Sequence, residues 1–200
     1  MIKFTIPVYV LILTMILFIT GILIYYINPI FSIILFWICI ASGFFSYIFL
    51  IAGKSNIKRD KNVITILLLI FIILNFVFRG FLYEQSTRLY IVYYKSEITE
   101  IRNILFDKGS FSSYGNSTDT RESTVSVEGK QRILALKNKM KCYWIFADSN
   151  KIGYNINDRY VIVYSERTIE GCFYDIRDKK YTFETRKLFG KWNYFYLPHR

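Results

Sequence analysis

FTIPVYVLILTMILFITGILIYYINPIFSIILFWICIASGFFSYIFLIAG, residues 4–53, contains no Asp, Glu, Lys, Arg or His. A water-soluble domain needs charged side chains to solvate its outer surface, so a run of this length points to a bilayer as its solvent. As one helix it would be about 75 Å long, more than twice the hydrocarbon thickness of a membrane. The chain therefore has to turn, and Asn28-Pro29 is where it can. Proline lacks an amide hydrogen and disfavours helix at the residue before it, so a first helix is expected to end near Ile27. Tyr25 and Tyr26, just before the turn, suit an interfacial aromatic belt. Two spans, about 4–27 and 30–52, joined by a tight hairpin are the economical reading.

Working outward, residues 62–78 form a second uncharged run between Lys61 and Arg79. It is near the lower limit for crossing, but Arg79 can snorkel to the head groups and let Phe81, Leu82 and Tyr83 complete a third span, about 62–83. A helix buried in a soluble domain is the alternative. No cleavage pattern of small residues follows the first span, which is too long for the core of a signal peptide and reads as a retained anchor.

Orientation follows from basic residues in short loops. Lys54, Lys58, Arg59 and Lys61 stand against one Asp60, and Lys3 lies on the same side. That puts the N-terminus in the cytoplasm and, after three crossings, the C-terminal part outside. Arg79, Arg88 and Lys95, just after the third span, oppose this assignment. No ionisable side chain falls inside a span, which lowers the case for a proton relay or pump. Asn75 is the most polar group there, and Ser42 with Ser46 makes a small-xxx-small pair suited to close helix packing.

Residues 84–200 have ordinary charge density and enough length for one core. The formal net charge of +11 divides into +5 for residues 1–80, where six Lys or Arg face Asp60, and +6 for residues 81–200, where 20 face 14 acids. A mild excess over a whole domain is a solvated face before it is a nucleic-acid surface. Heavy use of Ile, Phe, Tyr, Asn and Lys is that of an AT-rich bacterial genome. Residues 88–95 (RLYIVYYK) read as a strand, with helical continuation of the third span as the alternative. Ser96 then caps a helix over residues 97–107, with Ile98, Ile101 and Ile104 or Leu105 on one face. Residues 108–121, crowded with Ser, Gly, Asn and Thr, read as a mobile loop. Residues 124–127 suggest a short strand, and residues 129–141 a helix with Ile133, Leu134, Leu136 and Met140 as its apolar stripe.

After that the pattern changes to period two. Residues 142–147, 159–165, 171–177, 181–188 and 191–197 are five strand candidates, with turns at 148–150, 178–180 and 189–190. Tyr181 and Phe183 alternate with Glu184 and Arg186, as in a sheet with one wet face. The fold class expected is therefore an all-α membrane part of three transmembrane helices (residues 1–83). A C-terminal α+β domain (residues 84–200) follows, with two helices on an antiparallel sheet of about four to six strands.

Catalytic chemistry is hard to find. The one histidine, His199, is next to last, a poor place for a base or ligand, and no metal, nucleotide or nucleophile motif appears. Acid pairs such as Asp175 with Asp178 or Glu166 with Glu170 fall near turns, where acids are expected anyway. Cys142 and Cys172 each start an expected strand and are candidates for a disulfide if the domain lies outside the cytoplasm; Cys39 is a packing residue within the second span. Asn116-Ser117-Thr118 matches a glycosylation sequon by pattern alone. The last strands are rich in aromatics, among them Phe173, Tyr174, Trp192, Tyr194 and Phe195. Most should pack, and some can form an exposed face for a partner.

The expectation is thus a multi-pass cell-membrane protein without cofactor or metal, whose partners are the lipid bilayer and an envelope protein rather than nucleic acid. A non-enzymatic membrane-anchored binding module leads. A membrane-embedded immunity-type protein or transport-assembly subunit is the alternative, and a membrane-tethered enzyme the third. Neither partner identity nor oligomeric state can be read from these residues.

Overall fold

The structure is a computed structural model that describes residues 6–52, 62, 65–67, 69, 70, 73, 79–106, 108, 111–114, 117–119, 124–148, 151–156, 160–165, 172–176, 179–183 and 186–196. It divides into two compact units, Met1–Tyr90 and Ile91–Arg200.

In the first unit, α1 (Ile6–Leu23) and α2 (Pro29–Ala52) form a hairpin. Gly21 lies against Leu35, Phe18 against Phe36, and Thr14 against Cys39 and Ser42, so numbers fall on one helix as they rise on the other. The pair is antiparallel. α1 stops at Leu23, short of the expected Ile27, because residues 24–27 tighten into a turn. There Tyr25 N–H donates to Ile22 O and Ile27 N–H to Ile24 O, the i→i−3 pattern of a closing helix end. Asn28 then caps α2: its Oδ1 accepts from Phe31 N–H at 3.3 Å, with Pro29 at the first helical position, where a missing amide hydrogen costs nothing.

The expectation of three membrane helices is met only in part. α2 is the one described helix long and apolar enough to cross a membrane, and α1 is a shorter apolar helix beside it. Residues 62, 65–67, 69, 70 and 73 are helical. The rest of residues 62–78, with Asn75, lies outside the described residues, as do Lys54, Lys58, Arg59 and Lys61.

Residues 88–95 are not a strand. α3 (Arg79–Tyr93) runs through them. Leu82, Ser86, Thr87, Tyr90, Ile91 and Tyr94 are buried at spacings of three and four, and Glu84 pairs with Arg88 one turn on at 2.8 Å. β-branched and aromatic residues favour strands only where a pleated surface receives them, and here a helical stripe takes them instead.

In the second unit, α4 (Lys95–Leu105) and α5 (Val127–Lys139) pack together. Ile98, Ile101 and Leu105 are buried on one helix; Ile133 and Leu136, with Met140 just beyond, are buried on the other. Ser96 does not cap α4. The cap position falls to Tyr94, without a side-chain bond, and Ser96 Oγ–H donates to Glu97 Oε2 at 2.7 Å. Residues 124–127 are not a strand either: Ser126 Oγ accepts from Gly129 N–H at 3.1 Å and so starts α5. A side chain at Gly129 would press on Ile104 Cγ2, 3.2 Å from an added Cβ, so glycine permits the close approach.

Among the described residues, nine strands follow in chain order: β1 (Phe111–Tyr114), β2 (Ser117–Asp119), β3 (Trp144–Asp148), β4 (Lys151–Asn155), β5 (Tyr160–Ser165), β6 (Cys172–Ile176), β7 (Lys179–Phe183), β8 (Arg186–Phe189) and β9 (Trp192–Tyr196). Seven make one antiparallel sheet in the order β2-β1-β3-β4-β5-β9-β8, larger than expected, and β6 pairs with β7 separately. The supposed loop at 108–121 supplies β1 and β2, which extend the sheet beside β3. β4 was not expected at all, and residues 181–188 break into the end of β7 and β8. Lys179 and Lys180 belong to β7 rather than to the preceding turn.

One sheet face carries Ile145, Ile152, Tyr154 and Ile162, aligned by register, and Tyr154 O–H reaches Ile98 O on α4 at 3.4 Å. The opposite face is not wet in the centre. Gly153, Asn155, Val161 and Val163 are all buried there, as the nearly continuous apolar run of β5 requires. Gly153 is a close-approach site: a Cβ there would overlap the ring of Phe146, its neighbour on β3. Gly153→Ala should destabilise the domain by about 1–3 kcal/mol, the usual cost of overpacking. In a Phe146→Ala background that cost should shrink, read by urea unfolding followed through tryptophan fluorescence. Equal costs in both backgrounds would contradict the contact.

Candidate functional site

The second unit carries a cavity of about 600 Å³ lined by Arg102, Asn103, Phe106, Tyr164 and Lys191. Three elements converge to form it. Arg102 and Asn103 lie in the last turn of α4, and Phe106 caps that helix, its N–H donating to Arg102 O at 2.8 Å. Tyr164 comes from β5. Lys191 sits in the tight turn between β8 and β9, where Gly190 takes φ +52°, a left-handed conformation that glycine adopts without steric cost. Lys191 O accepts from Ser165 N–H at 3.1 Å, which ties the turn to the end of β5.

An aromatic ladder leads from the core to this cleft. Tyr154, fully buried, lies 6.0 Å from Trp192; Trp192 meets Tyr164 edge-on at 5.3 Å; and the Arg102 guanidinium stands 5.2 Å over the Tyr164 ring. Stacking an arginine on a tyrosine face holds it by the ring quadrupole while leaving the guanidinium edge open to acceptors. Among the described residues, no carboxylate comes within ion-pair distance of Arg102. Its charge at the C-terminal end of α4 also suits the helix dipole. The cleft therefore has two cations, an amide and an aromatic wall among the described residues.

The two acids of α4 are engaged elsewhere. Glu97 is buried and pairs with Lys139 Nζ at 2.6 Å, and Glu100 holds Arg132, with Nη2 at 3.0 Å from Oε2. Both pairs clamp α4 to α5. Hydrogen bonds from Lys139 and Ser96 depress the Glu97 carboxyl to about 2 despite its burial. The Glu100 carboxyl is likewise lowered by its bond from Arg132.

The other sequence candidates are scattered. Cys142 is buried just before β3, and its thiol donates to Asn155 O at 3.1 Å and Trp144 O at 3.4 Å. Cys172 begins β6, and its side chain lies outside the described residues. Beside Cys142 is Lys137, an almost fully buried lysine whose ammonium burial pulls below its usual range. Trp192, Tyr194 and Phe195 are buried and pack into the sheet; the side chains of Phe173, Tyr174, Tyr181 and Phe183 lie outside the described residues, as do His199, Glu166, Glu170 and Asn116. Among the described residues, no three His, Cys, Asp or Glu converge as metal ligands.

In the first unit, a cavity of about 330 Å³ opens at the closed end of the hairpin. Tyr25 makes edge contacts there with Tyr26 and Tyr83, at 5.2 and 5.7 Å.

The depressed Glu97 carboxyl makes a pH prediction. Its folded value lies below the 4.5 of an unperturbed glutamate, so its contribution is complete above 4.5 and is lost as pH falls from there towards 2. With Lys139 largely exposed, Glu97→Gln should cost about 1 kcal/mol at neutral pH. The gap to wild type should close on acidification, as measured by urea unfolding across that window; a constant gap would contradict the pair. Compared with family models, curated proteins and solved structures, the chain matches none of them.

Proposed function

We propose that this protein is a membrane-anchored, non-enzymatic binding module of a bacterial cell envelope, held by three spans and displaying its α+β domain outside the cytoplasm. One observation carries the anchoring: the hairpin turns its large apolar side chains outward. Leu13, Ile16, Ile34, Trp37, Phe44 and Phe45 are all exposed, Trp37 by 64% and Phe44 by 62%. An apolar surface of this extent is costly in water and suits lipid. Thr14 and Ser42 face one another instead, with Thr14 Oγ1 and Ser42 Oγ 2.7 Å apart.

The outward placement of the domain is supported by Lys54, Lys58, Arg59 and Lys61, which favour the cytoplasmic side between the second and third spans. A binding role is supported by the cationic, aromatic cleft, whose wall is built by the ends of α4, β5 and the β8–β9 turn. Partner capture would draw on that cleft rather than on the aromatics of β9, which the core uses.

The test is topological. A protease-cleavable tag inserted between Gly115 and Asn116 is expected to be cut in intact cells, while the protein stays in the membrane pellet after alkaline carbonate extraction. A tag cut only after lysis would put the domain in the cytoplasm, and release by carbonate would remove the anchor.

A further inference from the structure

We propose that the Arg102–Lys191 cleft is a phosphate-binding site, taking a phosphate group carried on a flat apolar moiety. The proposal rests on the reading of the domain as a binding module and names the chemistry that the module recognises.

Two features point to an oxyanion. Arg102 is half-buried, yet no acid pairs with it among the described residues, and Tyr164 holds its guanidinium by the face. The donors left open are the in-plane N–H groups, the edge that meets phosphate in a two-pronged fashion. Lys191 adds a second positive charge from across the cleft, and Asn103 an amide that can donate or accept.

Two more features set the rest of the ligand. Phe106, 38% exposed, and the ring of Tyr164 give the cleft an apolar wall beside the cations. A bare phosphate would leave that wall wet, whereas a planar apolar group would cover it and displace its water. The volume, about 600 Å³, is within the ordinary range for a small-molecule site. The phosphate itself is common to a soluble aromatic phosphomonoester, which fills the whole cleft, and to a phospholipid head group, which would engage the cations alone.

The test uses the full chain in nanodiscs of zwitterionic lipid, with phenyl phosphate as the probe. Ligand-observed NMR should show saturable binding, with inorganic phosphate competing more weakly. Arg102→Gln should raise the dissociation constant about tenfold or more, since a charge-assisted contact is lost. Lys191→Gln, at an exposed turn where folding is not at risk, should raise it several-fold. Adding anionic phospholipid to the nanodisc then identifies the source: competition with phenyl phosphate means a head group, and its absence means a soluble ligand. Unsaturable binding, or Arg102→Gln and Lys191→Gln variants that both bind like wild type, would overturn the proposal. A cytoplasmic domain that still bound phenyl phosphate would overturn the topology and leave the cleft standing.

Discussion

With the hairpin in lipid, as proposed, backbone hydrogen bonding without water is the constraint on which it depends. In an apolar solvent every N–H and C=O has to be satisfied within the chain, and a helix does this segment by segment. The hydroxyl groups of the hairpin follow the same rule. Thr14 Oγ1–H donates to Val10 O, Thr20 Oγ1–H to Ile16 O, Ser42 Oγ–H to Ile38 O and Ser46 Oγ–H to Ser42 O, each one turn back along its own helix. At the seam the Thr14 and Ser42 hydroxyls lie 2.7 Å apart, so one of them gives its hydrogen across the pair rather than along its own helix, and Cys39 Sγ–H reaches Thr14 O at 3.4 Å. Thr14, Cys39 and Ser42 thus mark the line where the helices touch, together with buried Leu11, Phe18 and Leu35, while Leu13, Ile16, Ile34, Trp37, Phe44 and Phe45 face outward.

The C-terminal unit is organised by its charges. Buried Glu97 and half-exposed Glu100 are both committed to α5, through Lys139 and Arg132. That fixes one side of α4 and leaves Arg102, at its end, beside β5 rather than beside an acid. The cleft is therefore a product of the same helix pairing that builds the core. Its tyrosine wall continues inward through Trp192 to Tyr154, so the residue that positions Arg102 is itself positioned by the sheet.

Residues whose signal is long and one-dimensional were legible in the sequence. A charge-free run with one Asn-Pro gives a hairpin and its turn; period-four stripes give α4 and α5; alternating runs give β3, β5 and β9. What failed depends on context. In residues 88–95, β-branched and aromatic side chains were taken into a helix because their burial repeats at three and four. The Ser-rich stretch at 108–121 yielded β1 and β2, since an edge strand can be polar when a central strand such as β3 provides its hydrogen bonds. β4 was hidden by Gly153, a residue that weakens any strand reading but is required here by the Phe146 ring. The cleft left no local trace, because Arg102, Tyr164 and Lys191 are distant in sequence and meet only through sheet order. The sole signal was the unassigned basic excess of residues 81–200.

The central claim, that the hairpin's outer surface is solvated by lipid, is tested most directly by spin labels in reconstituted vesicles. Single labels at Leu13, Ile34, Trp37 and Phe44, with the native cysteines replaced, would be read for collisions with oxygen and with a water-soluble nickel complex. The account predicts high oxygen and low nickel accessibility at all four, and low accessibility to both reagents for a label at Thr14, inside the seam. Nickel accessibility as high at Trp37 and Phe44 as at an exposed position of the sheet domain such as Lys187 would contradict it.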